Sequence, residues 1–166
     1  MEVQNNDHDH QKGLDWPGWA IGTFALEIQQ PWSDLLLKRK KSIEVRAYPL
    51  PISLLQRKVY ILGSSTGVAG KSLISNIFTL KNSCDVKIVG WVVFESVKEY
   101  RSAVEFSADE DLHLVSPNDP FGWNPEKTSV LFGWRVSQVE YLNEAEENFE
   151  VAVRKMRSLF QLYKSL

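Results

Sequence analysis

A change of periodicity between residues 31 and 47 constrains this chain more than any other feature of its 166 residues. Gln29-Gln30-Pro31-Trp32 opens a short helix, expected over 31–38. Gln30 stands at the cap, Pro31 brings its ring-fixed φ to the first turn, and Leu35, Leu36 and Leu37 follow. Four consecutive cations, Lys38, Arg39, Lys40 and Lys41, close it at the negative end of the helix dipole. From Ser42 the period falls to two. Ser42, Glu44 and Arg46 point one way and Ile43, Val45 and Ala47 the other. The pattern predicts a strand over 42–47 with an apolar face buried and an acid–base face looking outward.

The rest of the chain reads mainly as strands: 23–29, 58–63, 130–141 and a long 86–97 rich in β-branched and aromatic residues. Pro49 and Pro51 bound a turn. A helix is expected near 68–79, and Pro, Gly, Asn and Asp clusters make 107–127 a long loop. Residues 1–13 are polar and read as a flexible tail, whose Asp7-His8-Asp9-His10 run finds no further ligand cluster to complete a metal site. Residues 144–165 read as a helix, with Phe149, Ala152, Val153, Met156, Phe160 and Tyr163 at helical spacing. Acids in its first turns and Arg154, Lys155, Arg157 and Lys164 in its second half suit the dipole. The expected organisation is a flexible 1–22, a domain over 23–142, and an amphipathic helix over 143–166, packed on the domain or offered to a protein partner.

Composition excludes few classes. The chain is 43% apolar and 24% charged, with net charge −2, as in ordinary globular domains. That average conceals a local excess: residues 38–46 hold five cations and one acid. A polyanion meets the local field rather than the mean. A single cysteine, Cys84, rules out an internal disulfide and fits a reducing, cytoplasmic setting. No apolar run has the length of a membrane span, and the polar N-terminus is unlike a signal peptide. No cofactor or metal is implied.

The run Leu26-Glu27-Ile28-Gln29-Gln30-Pro31-Trp32, then Leu35-Leu36-Leu37, then Lys41-Ser42-Ile43-Glu44-Val45-Arg46 resembles the signature of ASCH domains (activating-signal-cointegrator homology). These are small β-barrels related to the PUA domains of RNA-modifying enzymes. The resemblance continues at Val59-Tyr60-Ile61-Leu62-Gly63-Ser64-Ser65, at Ile88 to Phe94 and at Phe132 to Val136, and so covers roughly residues 23–142. It implies an α+β fold: a small mixed β-barrel with flanking helices, with the C-terminal helix added. Arg39 stands where the family has a Gly that permits a positive φ, so a differently built turn is expected there. Ser42 replaces the common Thr and keeps the hydroxyl.

Two functional classes follow. The first is a nucleic-acid-binding module, for RNA in preference to DNA, using a basic cleft between the first helix and the barrel. Lys38, Arg39, Lys40, Lys41 and Arg46 would meet phosphates. Glu44 would hold Arg46 or accept from a base amine, and Trp32 would either stack on an unpaired base or pack as core. Gln30 lies beside them, and the resemblance adds Ser64 and Ser65 at a strand end lining the same cleft. The Lys/Glu/Arg set alternatively reads as a structural salt bridge, but a surface pair made for stability alone is worth little. The second class is a small hydrolase. Some ASCH-like proteins are amidohydrolases of acetylated cytidine, and others have been described as ribonucleases. Lys41 matches the amidohydrolase lysine, but Glu44 occupies the position of its Thr, and its later Glu has three candidates here: Glu95, Glu99 and Glu105. Lys41 and Glu44 are therefore the catalytic candidates, with a modified nucleoside as the substrate class. A third motif, residues 59–72, imitates a phosphate-binding P-loop through Gly70-Lys71-Ser72. Its spacing fails, since Ser65 stands where the first Gly is required.

Overall fold

The computed structural model describes residues 16–65, 67–143 and 148–164. The polar tail, its Asp-His run and the acids at 144, 146 and 147 lie outside the described residues. Strands β1 (Thr23–Gln29), β2 (Ile43–Arg46), β3 (Lys58–Ser64), β4 (Ile77–Thr79), β5 (Val86–Tyr100), β6 (Leu131–Tyr141), β7 (Phe149–Met156) and β8 (Leu159–Lys164) form one eight-stranded sheet. Their order is β2-β6-β5-β3-β1-β8-β7-β4. β1 and β3 run parallel and the other paired strands antiparallel. The sheet curls into an open half-barrel with few helices. Register shifts at Val93/Phe94 and Phe94/Ser96 lie in the long β5, where bulges add local bend and twist.

β1 is buried from Phe24 to Ile28 because both of its faces are covered. Phe24, Leu26 and Ile28 join the larger apolar cluster with Leu36, Ile61, Phe94 and Trp134. Ala25 joins a second cluster with Tyr60, Leu62, Phe160 and Leu162. A carboxylate in this run, Glu27, is buried with them. Helix α1 (Trp32–Leu37) begins one residue later than the sequence pattern predicts, with Pro31 at its cap, and buries Leu36 and Leu37. β2 then pairs with β6, Val45 opposite Gly133. A Cβ on Gly133 would lie 2.8 Å from both Ile43 and Tyr100, so only glycine lets β2 seat there.

Four expectations need correction. The C-terminal segment is no helix: β7 and β8 form a hairpin, and β8 pairs with β1. Phe149, Val151 and Val153 recur at a period of two while Phe149, Val153, Met156 and Phe160 recur at helical spacing, and a central strand in need of a partner selects the strand form. This removes the proposed partner-binding helix. The stretch expected as a helix near 68–79 is an irregular excursion ending in β4. The expected loop 107–127 begins with helical turns, α2 (Ala103–Ala108) and α3 (Glu110–His113). Ser102 caps α2 by accepting from Glu105 N at 3.2 Å. Finally, Arg39 adopts φ +58, so the turn is made with the positive φ a glycine would favour despite the side chain. Among the described residues no helix is long and apolar enough to cross a membrane.

Candidate functional site

A cavity of about 410 Å³ lies between α1, β1, β2, the β3–β4 excursion and the β7–β8 turn. Its inner wall is the motif on β2. Lys41 and Glu44 are almost wholly buried, with side chains 3% and 4% exposed. The acid–base face therefore looks into a cavity rather than into open solvent, which corrects the outward orientation expected from the alternation. Lys41 Nζ lies 2.7 Å from Glu44 Oε2, an ion pair without the alignment of a hydrogen bond. Arg46 Nη2 meets Glu44 Oε1 at 2.8 Å. Burial pushes the Glu44 carboxyl upward, but the charges of Lys41 and Arg46 outweigh it and hold the group below its ordinary range. Burial likewise disfavours the Arg46 charge, and Glu44 reverses that, so the guanidinium is held still more firmly protonated.

Arg46 also donates to Glu27 O at 2.9 Å and to Ser158 Oγ at 2.8 Å. Ser158 Oγ in turn lies 2.6 Å from the Tyr48 hydroxyl. One guanidinium thus ties β2, β1 and the β7–β8 turn together. Trp32 stands beside Lys41, whose ammonium sits 4.7 Å from the ring centroid, within cation–π range. Phe121 meets the same ring edge-on at 6.3 Å.

The opposite wall is built around Glu27. Its Oε2 accepts from Ser72 Oγ at 2.5 Å and its Oε1 from Leu73 N at 3.0 Å. Arg154 on β7 donates to Ser72 Oγ at 2.8 Å, to Ile74 O at 2.6 Å and to Asn76 Oδ1 at 3.0 Å. Gln29 donates to Lys71 O at 2.8 Å. These contacts hold Gly70, Lys71 and Ser72 against the cavity, which Arg154 and Arg157 also line.

Among solved structures the chain is similar to the ASCH protein of Zymomonas mobilis, with a TM-score of 0.55 at 13% identity, covering 86% of this chain and 88% of that one. The fold is that of an ASCH domain. Two variants of the same protein, one Tyr→Phe and one Ser→Ala, match with TM-scores of 0.53 and 0.52, each at 14% identity. They cover 87% and 86% of this chain and 92% and 89% of their own. No family model and no curated protein matches the sequence.

Within this ASCH fold the structure gathers Trp32, Lys41, Glu44 and Arg46 around the cavity. It leaves Gln30, Lys38, Arg39, Lys40, Ser64 and Ser65 off its lining. Lys38 is paired with Asp34 at 2.9 Å. Arg39 reaches Val139 O at 3.4 Å and borders a separate hollow of about 150 Å³. Lys40 and Ser65 are exposed, Ser64 is buried in β3, and Gln30 N donates to Ser64 O at 2.9 Å. The later glutamates are elsewhere: Glu95 pairs with Arg135, Glu99 with Arg101, and Glu105 accepts from Arg101 N. Cys84 is exposed. Among the described residues no group of three or more His, Cys, Asp or Glu is placed to hold a metal ion.

Sequence reasoning missed Glu27, Tyr48, Lys71, Arg154, Arg157 and Ser158 as cavity residues. For Glu27 a signal was present: an ionisable residue inside the apolar run Phe24–Ile28 needs a partner when buried. For Arg154, Arg157 and Ser158 the helical reading removed it.

Proposed function

We propose that this ASCH-fold domain binds single-stranded RNA by taking one unpaired nucleotide into the cavity. The observation that carries this reading is the cavity itself. It has the volume of a small-molecule site, five cations against two acids on its walls, and aromatic rings at Trp32, Tyr48 and Phe121. A nucleotide needs this mixture: a flat surface for a base and positive charge for a phosphate. The inner triad supports the same reading from its cost. Two charges, Lys41 and Glu44, are buried with a third, Arg46, part-buried against them, and Arg46 Nε finds no hydrogen-bond partner among the described residues. A core shaped for stability alone would be better served by apolar side chains of that volume.

The test is fluorescence anisotropy of labelled single-stranded and hairpin RNA at low and near-physiological salt. A control that removes only Lys41 and Arg46 would strand Glu44. The better control is the triple apolar variant Lys41→Met/Glu44→Leu/Arg46→Leu, checked for folding by circular dichroism. Binding is expected to fall steeply with salt, to prefer the single strand and to disappear in the variant. Binding that persists in a folded triple variant, or that ignores salt, sinks the proposal.

One observation favours a second reading, hydrolysis of RNA or of a modified nucleoside. Ser158 Oγ is held between the Tyr48 hydroxyl at 2.6 Å and the Arg46 guanidinium at 2.8 Å on the cavity wall. In this reading Lys41, ion-paired with Glu44, would stabilise negative charge developing in the cavity. Mass spectrometry of acetylated cytidine and of short RNA incubated with the protein decides it. Absence of product at high protein concentration ends this reading and leaves binding intact.

A further inference from the structure

The stretch that fails as a P-loop nevertheless delivers its last three residues, Gly70, Lys71 and Ser72, to the cavity. Apolar packing does not account for this. Residues 67–73 are exposed and only Ile74 is buried. The segment is fixed by polar contacts to groups deeper in the fold: Glu27 with Ser72 and Leu73, Gln29 with Lys71 O, and Arg154 with Ser72 and Ile74 O. Gly70 takes φ +74 with nothing within 4 Å of the space a Cβ would fill, so the chain turns there beside an open approach. Polar clamping of an exposed segment orients it without burying it.

What it orients is Lys71. The other cations of the cavity are engaged. Lys41 and Arg46 hold Glu44, Arg154 holds the segment, and Arg157 has partners of its own. Lys71 is exposed, and its ammonium makes no hydrogen bond or ion pair among the described residues. We infer that Lys71 reads the phosphate of the bound nucleotide, so that the cavity distinguishes a nucleoside monophosphate from the bare nucleoside. This rests on the nucleotide-binding reading above and adds its polarity: base toward Trp32 and Tyr48, phosphate toward Lys71. A hydrated point charge on a flexible stem suits a phosphate at a solvent boundary, whereas the part-buried Arg46 is committed to fixed partners.

The experiment is isothermal titration of the full chain with cytidine, cytidine 5′- and 3′-monophosphate and inorganic phosphate, beside the RNA anisotropy assay on the same preparation. At low salt one monophosphate is expected to bind about tenfold more tightly than cytidine and than inorganic phosphate. Lys71→Ala should abolish that ratio, and Lys71→Arg should restore most of it. An unchanged ratio in Lys71→Ala overturns the assignment. So does equal wild-type binding of cytidine and both monophosphates, or inorganic phosphate binding as tightly as the nucleotide. Salt-sensitive RNA binding with no monophosphate preference would remove Lys71's role and keep the RNA reading. A Lys71-dependent preference with no RNA binding would do the reverse.

Discussion

The two walls of the cavity carry charge in opposite ways. On the β2 side Lys41, Glu44 and Arg46 are neighbours in sequence, the first two buried and Arg46 part-buried, and they are matched to one another at 2.7 and 2.8 Å. On the other side Glu27, Lys71, Arg154 and Arg157 come from three distant segments, and Lys71 is exposed and unmatched among the described residues. The first wall is fixed by the cost of separating buried charges. The second is fixed by hydrogen bonds to main chain and to the Ser72 and Asn76 side chains, which leave the charge of Lys71 unspent. A site of this kind divides its labour: the matched wall sets shape, and the unmatched one is left to meet a ligand's charge.

The sharpest way to break this comparison is to unmatch the matched wall. Glu44→Ala leaves the buried Lys41 and the part-buried Arg46 facing each other without their counter-charge, and should cost about 3–5 kcal/mol in urea unfolding. The triple apolar variant should cost far less, because it removes all three charges together. If Glu44→Ala were nearly neutral, water would be reaching the triad and the contrast between the walls would collapse.

The next effect concerns the unmatched wall's anchor. Glu27→Gln keeps the shape but loses the charge that accepts from Ser72 Oγ and Leu73 N. A cost of about 1–3 kcal/mol is expected. The same variant should raise tryptic cleavage after Lys71, since the segment it releases is exposed. Cleavage unchanged from wild type would show that Arg154 and Gln29 suffice to hold it.

A third test uses pH on the packing behind the matched wall, where Ser42 N donates to Leu112 O on α3. His113, buried on α3, is placed to donate from Nε2 to Phe106 O at 2.8 Å, and its Nδ1 accepts from Val115 N at 3.0 Å, an arrangement only the neutral ring can make. Burial lowers its pKa below 6.5, and nearby Lys41 adds to that. The unfolded chain therefore takes up the proton more readily. The contribution is whole above 6.5 and declines as pH falls below it. Glu44, held below its usual 4.5, contributes above that value and loses its contribution at lower pH, as the pH falls through its depressed folded value. Urea unfolding followed from about pH 7 to about pH 5.5 should show a loss that His113→Gln flattens. A profile that falls equally in the variant would assign the loss to other groups.

The same division explains what could be read from the sequence. The β2 wall was legible because helix, turn and strand follow one another within residues 31–47, and each leaves a local periodic mark. The strands at 23–29, 58–63 and 130–141 were legible for the same reason. The opposite wall was not. Arg154, Arg157 and Ser158 reach the cavity only because β8 pairs with β1, and that pairing decides between the two periods that can be read in residues 149–163. Lys71 leaves no periodic trace, since its segment is placed by side chains from β1 and β7. Even the buried face of β2 was misjudged in one respect. Alternation assigns sides, but it does not say that the polar side will be roofed by residues elsewhere in the chain.

The smallest effect is the most discriminating. Lys71→Ala should leave stability within about 0.5 kcal/mol of wild type, because an exposed side chain without partners has little to lose. Its main-chain carbonyl still accepts from Gln29, and the contacts of Glu27 with Ser72 and Leu73 are untouched. Urea unfolding of this variant beside Glu27→Gln therefore splits the wall into its parts, one holding the segment and one facing the cavity. A destabilisation by Lys71→Ala as large as that of Glu27→Gln would mean that the ammonium is a structural contact. The second wall would then be matched like the first, and the division of labour between them would fail.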